Sequence, residues 1–60
     1  MDASEIEVGK FYWVQIATFI TRIKVIEASA TETGCWLCEN IAGKQIVCST
    51  TQFIGHSTLD

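Results

Sequence analysis

Cys35, Cys38, Cys48 and His56 are the side chains of this sequence whose types could bind a metal ion: three thiolates and one imidazole, the donor set of a structural zinc site. Their spacing works against that chemistry. If Cys35-Trp36-Leu37-Cys38 is extended, the two cysteines point to opposite faces and lie about 10 Å apart. The glycine or small polar turn that usually bends a zinc knuckle is replaced by Trp36-Leu37 and Glu39-Asn40-Ile41. The same separation forbids a Cys35–Cys38 disulfide while the strand persists. Cys38 and Cys48 can share a face and approach one another, though a reducing compartment would keep them as thiols. The cysteines are therefore expected to act as small apolar strand residues, with no metal and no cofactor. His56, the only histidine, has just Glu27, Glu39 and Asp60 as conceivable carboxylate partners and reads as a surface residue. Neither paired carboxylates nor a glycine-rich phosphate loop is present, so no catalytic set is expected.

This reading rests on the strands that would carry the cysteines. Thr33 to Ser49 predicts a hairpin turning at Ile41-Ala42-Gly43, where the glycine supplies the left-handed backbone of a three-residue loop. Pairing Asn40 with Lys44 places Trp36, Cys38, Ile46 and Cys48 on one wholly apolar face. Cys35, Leu37, Glu39, Gln45, Val47 and Ser49 then face outward. A one-residue slip would set Trp36 and Cys38 beside Gln45, Val47 and Ser49, a poorer core.

The remaining elements follow from alternation and turn chemistry. Residues 1–7 are acidic and predict a flexible arm ahead of a single domain over 8–60. Lys10 to Ala17 is aromatic and β-branched, which favours a strand with Tyr12, Val14 and Ile16 inward and Phe11, Trp13 and Gln15 outward. Thr18-Phe19 marks a bend. Ile20 to Ala28 predicts a second strand, Ile23 and Val25 inward and Arg22 and Lys24 outward; a helix over Ile20 to Glu32 has the spacing of Ile23, Ile26 and Ala30 but too many β-branched residues. Ser29 to Gly34 is a loop. After the hairpin, Ser49 or Thr50 can cap one 3-10 turn, and Ile54 to Leu59 can form a closing strand interrupted at Gly55.

Sixty residues make one domain near the lower limit for folding unaided, and such chains usually add a disulfide, a metal or a partner subunit. With 48% hydrophobic and 18% charged residues, some apolar side chains must face outward, and such surface tends to be contact surface. A net charge of −3, with only Lys10, Arg22, Lys24 and Lys44 as cations, disfavours nucleic acid as a partner. The longest apolar run, Phe11 to Val14, spans no membrane. An odd cysteine count and an acidic start at Met1-Asp2 suggest a cytoplasmic protein.

Five short strands with a small turn before the last fit an all-β, five-stranded antiparallel barrel. Gly9-Lys10-Phe11-Tyr12-Trp13-Val14, Arg22-Ile23-Lys24-Val25-Ile26-Glu27, Gly34-Cys35-Trp36-Leu37 and Gly43-Lys44 followed by Ile46 and Phe53 resemble the SH3-like and Tudor-like barrels over residues 8–59. That resemblance implies closure of the sheet and a binding or assembly role without catalysis. The expected working surface is Phe11, Trp13, Leu37 and Val47, serving a homo-oligomer, a dimer being the commonest form, or another protein; Trp13→Ala is expected to favour the monomer. Tudor-like barrels also hold methylated cations in aromatic cages, for which Trp13, Phe11 and Phe19 with Glu27 or Glu39 are the candidates here. Gln45-Ile46-Val47-Cys48 shares a Gln-Ile pair with the pore strand of the type II dihydrofolate reductases, tetrameric SH3-like enzymes. The tyrosine of their run is missing, and an acidic chain suits a nicotinamide cofactor's phosphates poorly.

Overall fold

Strand formation follows the alternation of apolar and polar residues closely. The computed structural model describes residues 1–57, in five antiparallel strands: β1 (Phe11–Ile16), β2 (Phe19–Ala28), β3 (Cys35–Asn40), β4 (Gln45–Ser49) and β5 (Phe53–His56). Their order in the sheet is β4-β3-β2-β1-β5. The fold is all-β and compatible with an SH3-like architecture, with one correction. The expected barrel does not close through hydrogen bonds; β4 and β5 are the two edges of an open sheet, linked by a one-turn 3-10 helix, Thr50–Gln52.

The β3–β4 hairpin has the expected register. Trp36 lies opposite Cys48 and Cys38 opposite Ile46, and the Asn40 amide donates to the Lys44 carbonyl at 2.9 Å. Gly43, at φ 82°, occupies the left-handed position. Asn40 Oδ1 accepts from the amides of Ala42 (3.0 Å) and Lys44 (2.9 Å), which holds the loop from inside. Cys38 and Cys48 are buried, and Trp36 and Ile46 pack against the core.

Tyr12 and Val14 of β1, Ile23 and Val25 of β2, and Phe53 of β5 complete that core, as alternation predicts. The helical alternative over Ile20–Glu32 is not adopted. Two irregularities are superimposed on the alternation. Ile26 is an extra residue in β2, between the Val25–Cys38 and Glu27–Leu37 pairs. Ile54 is an extra residue in β5, between the Val14–Phe53 and Trp13–Gly55 pairs. Bulges of this kind increase the local twist of a strand, here in β5 and in the ten-residue β2 that pairs with both β1 and β3.

Three segment boundaries differ from expectation. Phe19, expected in a bend, begins β2, because the β1–β2 turn is only Ala17-Thr18, with Ala17 at φ 53°. β5 occupies Phe53–His56 rather than Ile54 to Leu59, and Leu59 lies outside the described residues. The acidic stretch 1–7 contains a short 3-10 helix, Ala3–Glu5, and carries Ile6 into the core at 5% exposure. Tyr12 anchors it: the phenolic oxygen accepts from the Glu7 amide at 2.7 Å and donates to the Glu5 carbonyl at 3.1 Å.

The 3-10 turn begins at Ser49, one of the two expected caps. Gln52 fastens it, accepting from the Ser49 amide at 2.8 Å and donating to the Gln15 carbonyl at 3.3 Å. No helix among the described residues is long and apolar enough to cross a membrane.

Candidate functional site

The outward residues expected to form one surface are divided by the order of the strands. Phe11 and Trp13 stand on β1, opposite Lys24 and Arg22 of β2. Leu37 and Val47 stand opposite one another on β3 and β4. Because β2 lies between β1 and β3, its outward Arg22, Lys24 and Glu27 separate the two apolar groups. The expected set Phe11, Trp13, Leu37 and Val47 is therefore two patches with a charged ridge between them.

Each patch has its own character. On β1, Trp13 is 37% exposed, and Ile20, Ile54 and Phe19 add exposed apolar surface on the β1–β2 and β5 side. Phe19 does not share the face of Phe11 and Trp13. It pairs with Ile16, whose side chain packs on the core, so Phe19 projects from the hairpin tip on the inner side of the ribbon. On the other patch, Val47 is 51% exposed on an edge strand, with Leu37 half-buried beside it. Ile20 and Ile54 escape the sequence reading; the adjacent Phe19-Ile20 and Phe53-Ile54 pairs, which interrupt alternation, are the signal that marks them.

The three rings proposed for a cation cage are not brought together. The face of Phe11 is covered by the chain's own cation, with Arg22 Cζ 4.2 Å from the ring centroid and Lys24 Nζ at 5.8 Å. A methylated ligand would have to displace a guanidinium already making the same contact. Glu39 stands across the ridge from Phe11, on β3 beyond Lys24, though both line the same hollow, whereas Glu27 pairs with Leu37.

The thiols separate as the strand geometry requires. Cys38 and Cys48 are diagonal neighbours on the inner face, at 0% and 1% exposure, and Cys38 Sγ also donates to the Trp36 carbonyl at 3.6 Å. Cys35 faces outward, its thiol donating to Glu32 Oε2 at 3.7 Å. His56 is across the sheet on β5, its ring 4.9 Å from that of Tyr12. Among the described residues, no three of His, Cys, Asp and Glu gather closely enough to hold a metal. Partial burial, followed by the Glu32 carboxylate, raises the Cys35 thiol pKa, which keeps it a poor nucleophile.

Contact with Cys48 and burial raise the Cys38 thiol above its ordinary value of 9.0, while the same contact lowers that of Cys48. The two shifts act on the pH dependence of stability with opposite signs and partly cancel.

Gln45 is exposed on the outer side while Ile46 packs against the core. The Gln-Ile pair thus does not line one surface, as a shared pore would require. Comparisons with known proteins add no relative: no protein-family model, curated protein or solved structure matches the chain.

Proposed function

We propose that this chain is a non-catalytic self-assembly module that joins a second copy of itself along β4. The observation that carries this reading is the chemistry of that edge. Gln45–Ser49 contains no charge and no proline, and pairs with β3 without a bulge, so it lacks the features that usually protect an exposed strand. The Asn40–Lys44 hydrogen bond sets the phase of the ladder. Residues alternate between bonding to the neighbouring strand and pointing away from it, so Ile46 and Cys48 bond to β3 while the N–H and C=O of Gln45 and Val47 face the open side.

A second β4 laid antiparallel about Val47 satisfies those groups. It sets Val47 opposite its own copy and Gln45 opposite Ser49, with no like charges meeting, as a two-fold interface requires. Val47 and Leu37 from both copies then make one apolar strip across the junction. The Trp13 patch lies beyond the charged ridge and takes no part, which reverses the expectation that Trp13→Ala favours the monomer. A Tudor-like cage is disfavoured by the guanidinium over Phe11.

Sedimentation velocity from micromolar to millimolar concentration tests the reading. The wild type should pass from one chain to two with increasing concentration. Val47→Lys removes about 1.5–3 kcal/mol of burial from each copy and opposes two ammonium groups, so dissociation should strengthen by at least about a hundredfold. Trp13→Ala should associate like the wild type. A wild type that stays a single chain at millimolar concentration would refute self-assembly, and unaltered association of Val47→Lys would remove β4 from the contact.

A further inference from the structure

We infer that the outer face between β1, β2 and the β3–β4 turn is a binding site for a small monocarboxylate, or for a carboxylate side chain of similar size. The site is a cavity of about 220 Å³ lined by Phe11, Arg22, Ile23, Lys24, Glu39, Asn40 and Ile41. Cross-strand pairing assembles it, since Phe11 is opposite Lys24 and Lys24 is opposite Glu39. It is smaller than the roughly 300–1,000 Å³ of pockets for drug-sized molecules, which limits the occupant to a side chain or a molecule of that bulk.

Arg22 determines the chemistry. Its Nε donates to Ser57 Oγ at 2.8 Å, and its Cζ lies 4.2 Å from the centroid of the Phe11 ring. Both contacts restrict the guanidinium. Its Nη2 is buried and has no hydrogen-bond acceptor among the described residues. A buried donor left unpaired costs about 1–3 kcal/mol, so the site gains when an acceptor arrives. A carboxylate matches the planar fork of a guanidinium and forms its stronger, charge-assisted hydrogen bonds. Binding turns the guanidinium away from Ser57 so that Nη2 meets the ligand, while Phe11 and Ile41 receive the apolar body.

Charge narrows the class further. Arg22 and Lys24 oppose one carboxylate of the lining, that of Glu39, which leaves a net single positive charge. That balance suits a monoanion and resists the second charge of phosphate. The inference is independent of self-assembly, because no residue of β4 lines the cavity.

Nitrogen-15 NMR titration of the whole chain with sodium benzoate, benzamide and inorganic phosphate is the test. Benzoate should produce saturable shifts at the Arg22 Nε–H and at the amides of Phe11, Lys24 and Ile41. Benzamide, alike in shape but neutral, should bind at least about tenfold more weakly, and phosphate should bind more weakly than benzoate. Arg22→Lys, which keeps the charge and loses the fork, should weaken benzoate by about tenfold. Equal binding of benzamide would reduce the site to an apolar hollow. Phosphate binding at least as tightly as benzoate, shifts elsewhere, no shifts at tens of millimolar, or unchanged benzoate affinity in a folded Arg22→Lys would each overturn the proposal. Should Arg22→Lys fail to fold, the three wild-type titrations decide the matter alone.

Discussion

Tyr12→Ala should leave most of the protein unfolded at 25 °C. Tyr12 is fully buried, meets Phe53 edge-on at 5.4 Å between ring centroids, and lies under the His56 ring at 4.9 Å. Removing a buried aromatic ring costs about 3–5 kcal/mol, whereas a sixty-residue domain has about 3–9 kcal/mol in total at the usual value per residue. The residue also joins two parts of the chain that the sheet does not. Its hydroxyl accepts from Glu7 and donates to Glu5, holding the segment that places Ile6 in the core. Tyr12→Phe separates the two roles, because it keeps the ring and leaves the Glu7 amide and Glu5 carbonyl without that partner. It should cost about 1–2 kcal/mol and speed amide exchange around Glu5–Val8 while the strands stay protected. Circular dichroism melts and hydrogen exchange provide the readings. A cooperative Tyr12→Ala melt within a few degrees of wild type would mean that the ring is not part of the limiting core.

Much of this architecture was legible because side-chain alternation and one glycine suffice to define it. Gly43 allows a single economical turn, and the apolar face Trp36, Cys38, Ile46 and Cys48 then fixes the register of β3 on β4. Features depending on one inserted residue were less visible. Ile26 and Ile54 are bulged, and an insertion leaves only a pair of adjacent apolar residues in the sequence. The Ala17-Thr18 turn contains no glycine or asparagine, although Ala17 takes a positive φ, so the start of β2 at Phe19 carried no turn signal. Ile6 stands alone among polar residues, and its burial depends on a hydroxyl five residues beyond Glu7. The candidate surfaces were legible as residues but not as places. Which outward side chains are neighbours depends on strand order, and β2 lying between β1 and β3 is what parts Trp13 from Val47. The burial of Arg22 Nη2 without an acceptor among the described residues has no sequence signal at all, since it depends on where Ser57 and Phe11 hold the guanidinium.

Phe53→Ala should be the second severe substitution, because Phe53 closes the side of the sheet that has no ladder. The hydrogen bonds end at β4 and at β5, yet the seam between them is spanned by the Thr50–Gln52 turn with Phe53 directly after it. Two different forces hold that seam. Gln52 contributes polar contacts, to the Ser49 amide at one end of its side chain and to the Gln15 carbonyl at the other. Phe53, 3% exposed, contributes burial against Tyr12 and lies opposite Val14 in the β1–β5 pairing. Truncating the ring should cost about 3–5 kcal/mol, and Gln52→Ala about 1 kcal/mol, because an intramolecular hydrogen bond replaces one to water. Urea titrations of the two variants under identical conditions give the ratio. If Gln52→Ala proves as damaging as Phe53→Ala, the turn's polar clasp shapes the seam. If the expected ratio is found, burial of Phe53 against Tyr12, more than the hydrogen bonds of the turn, holds the open side of the sheet.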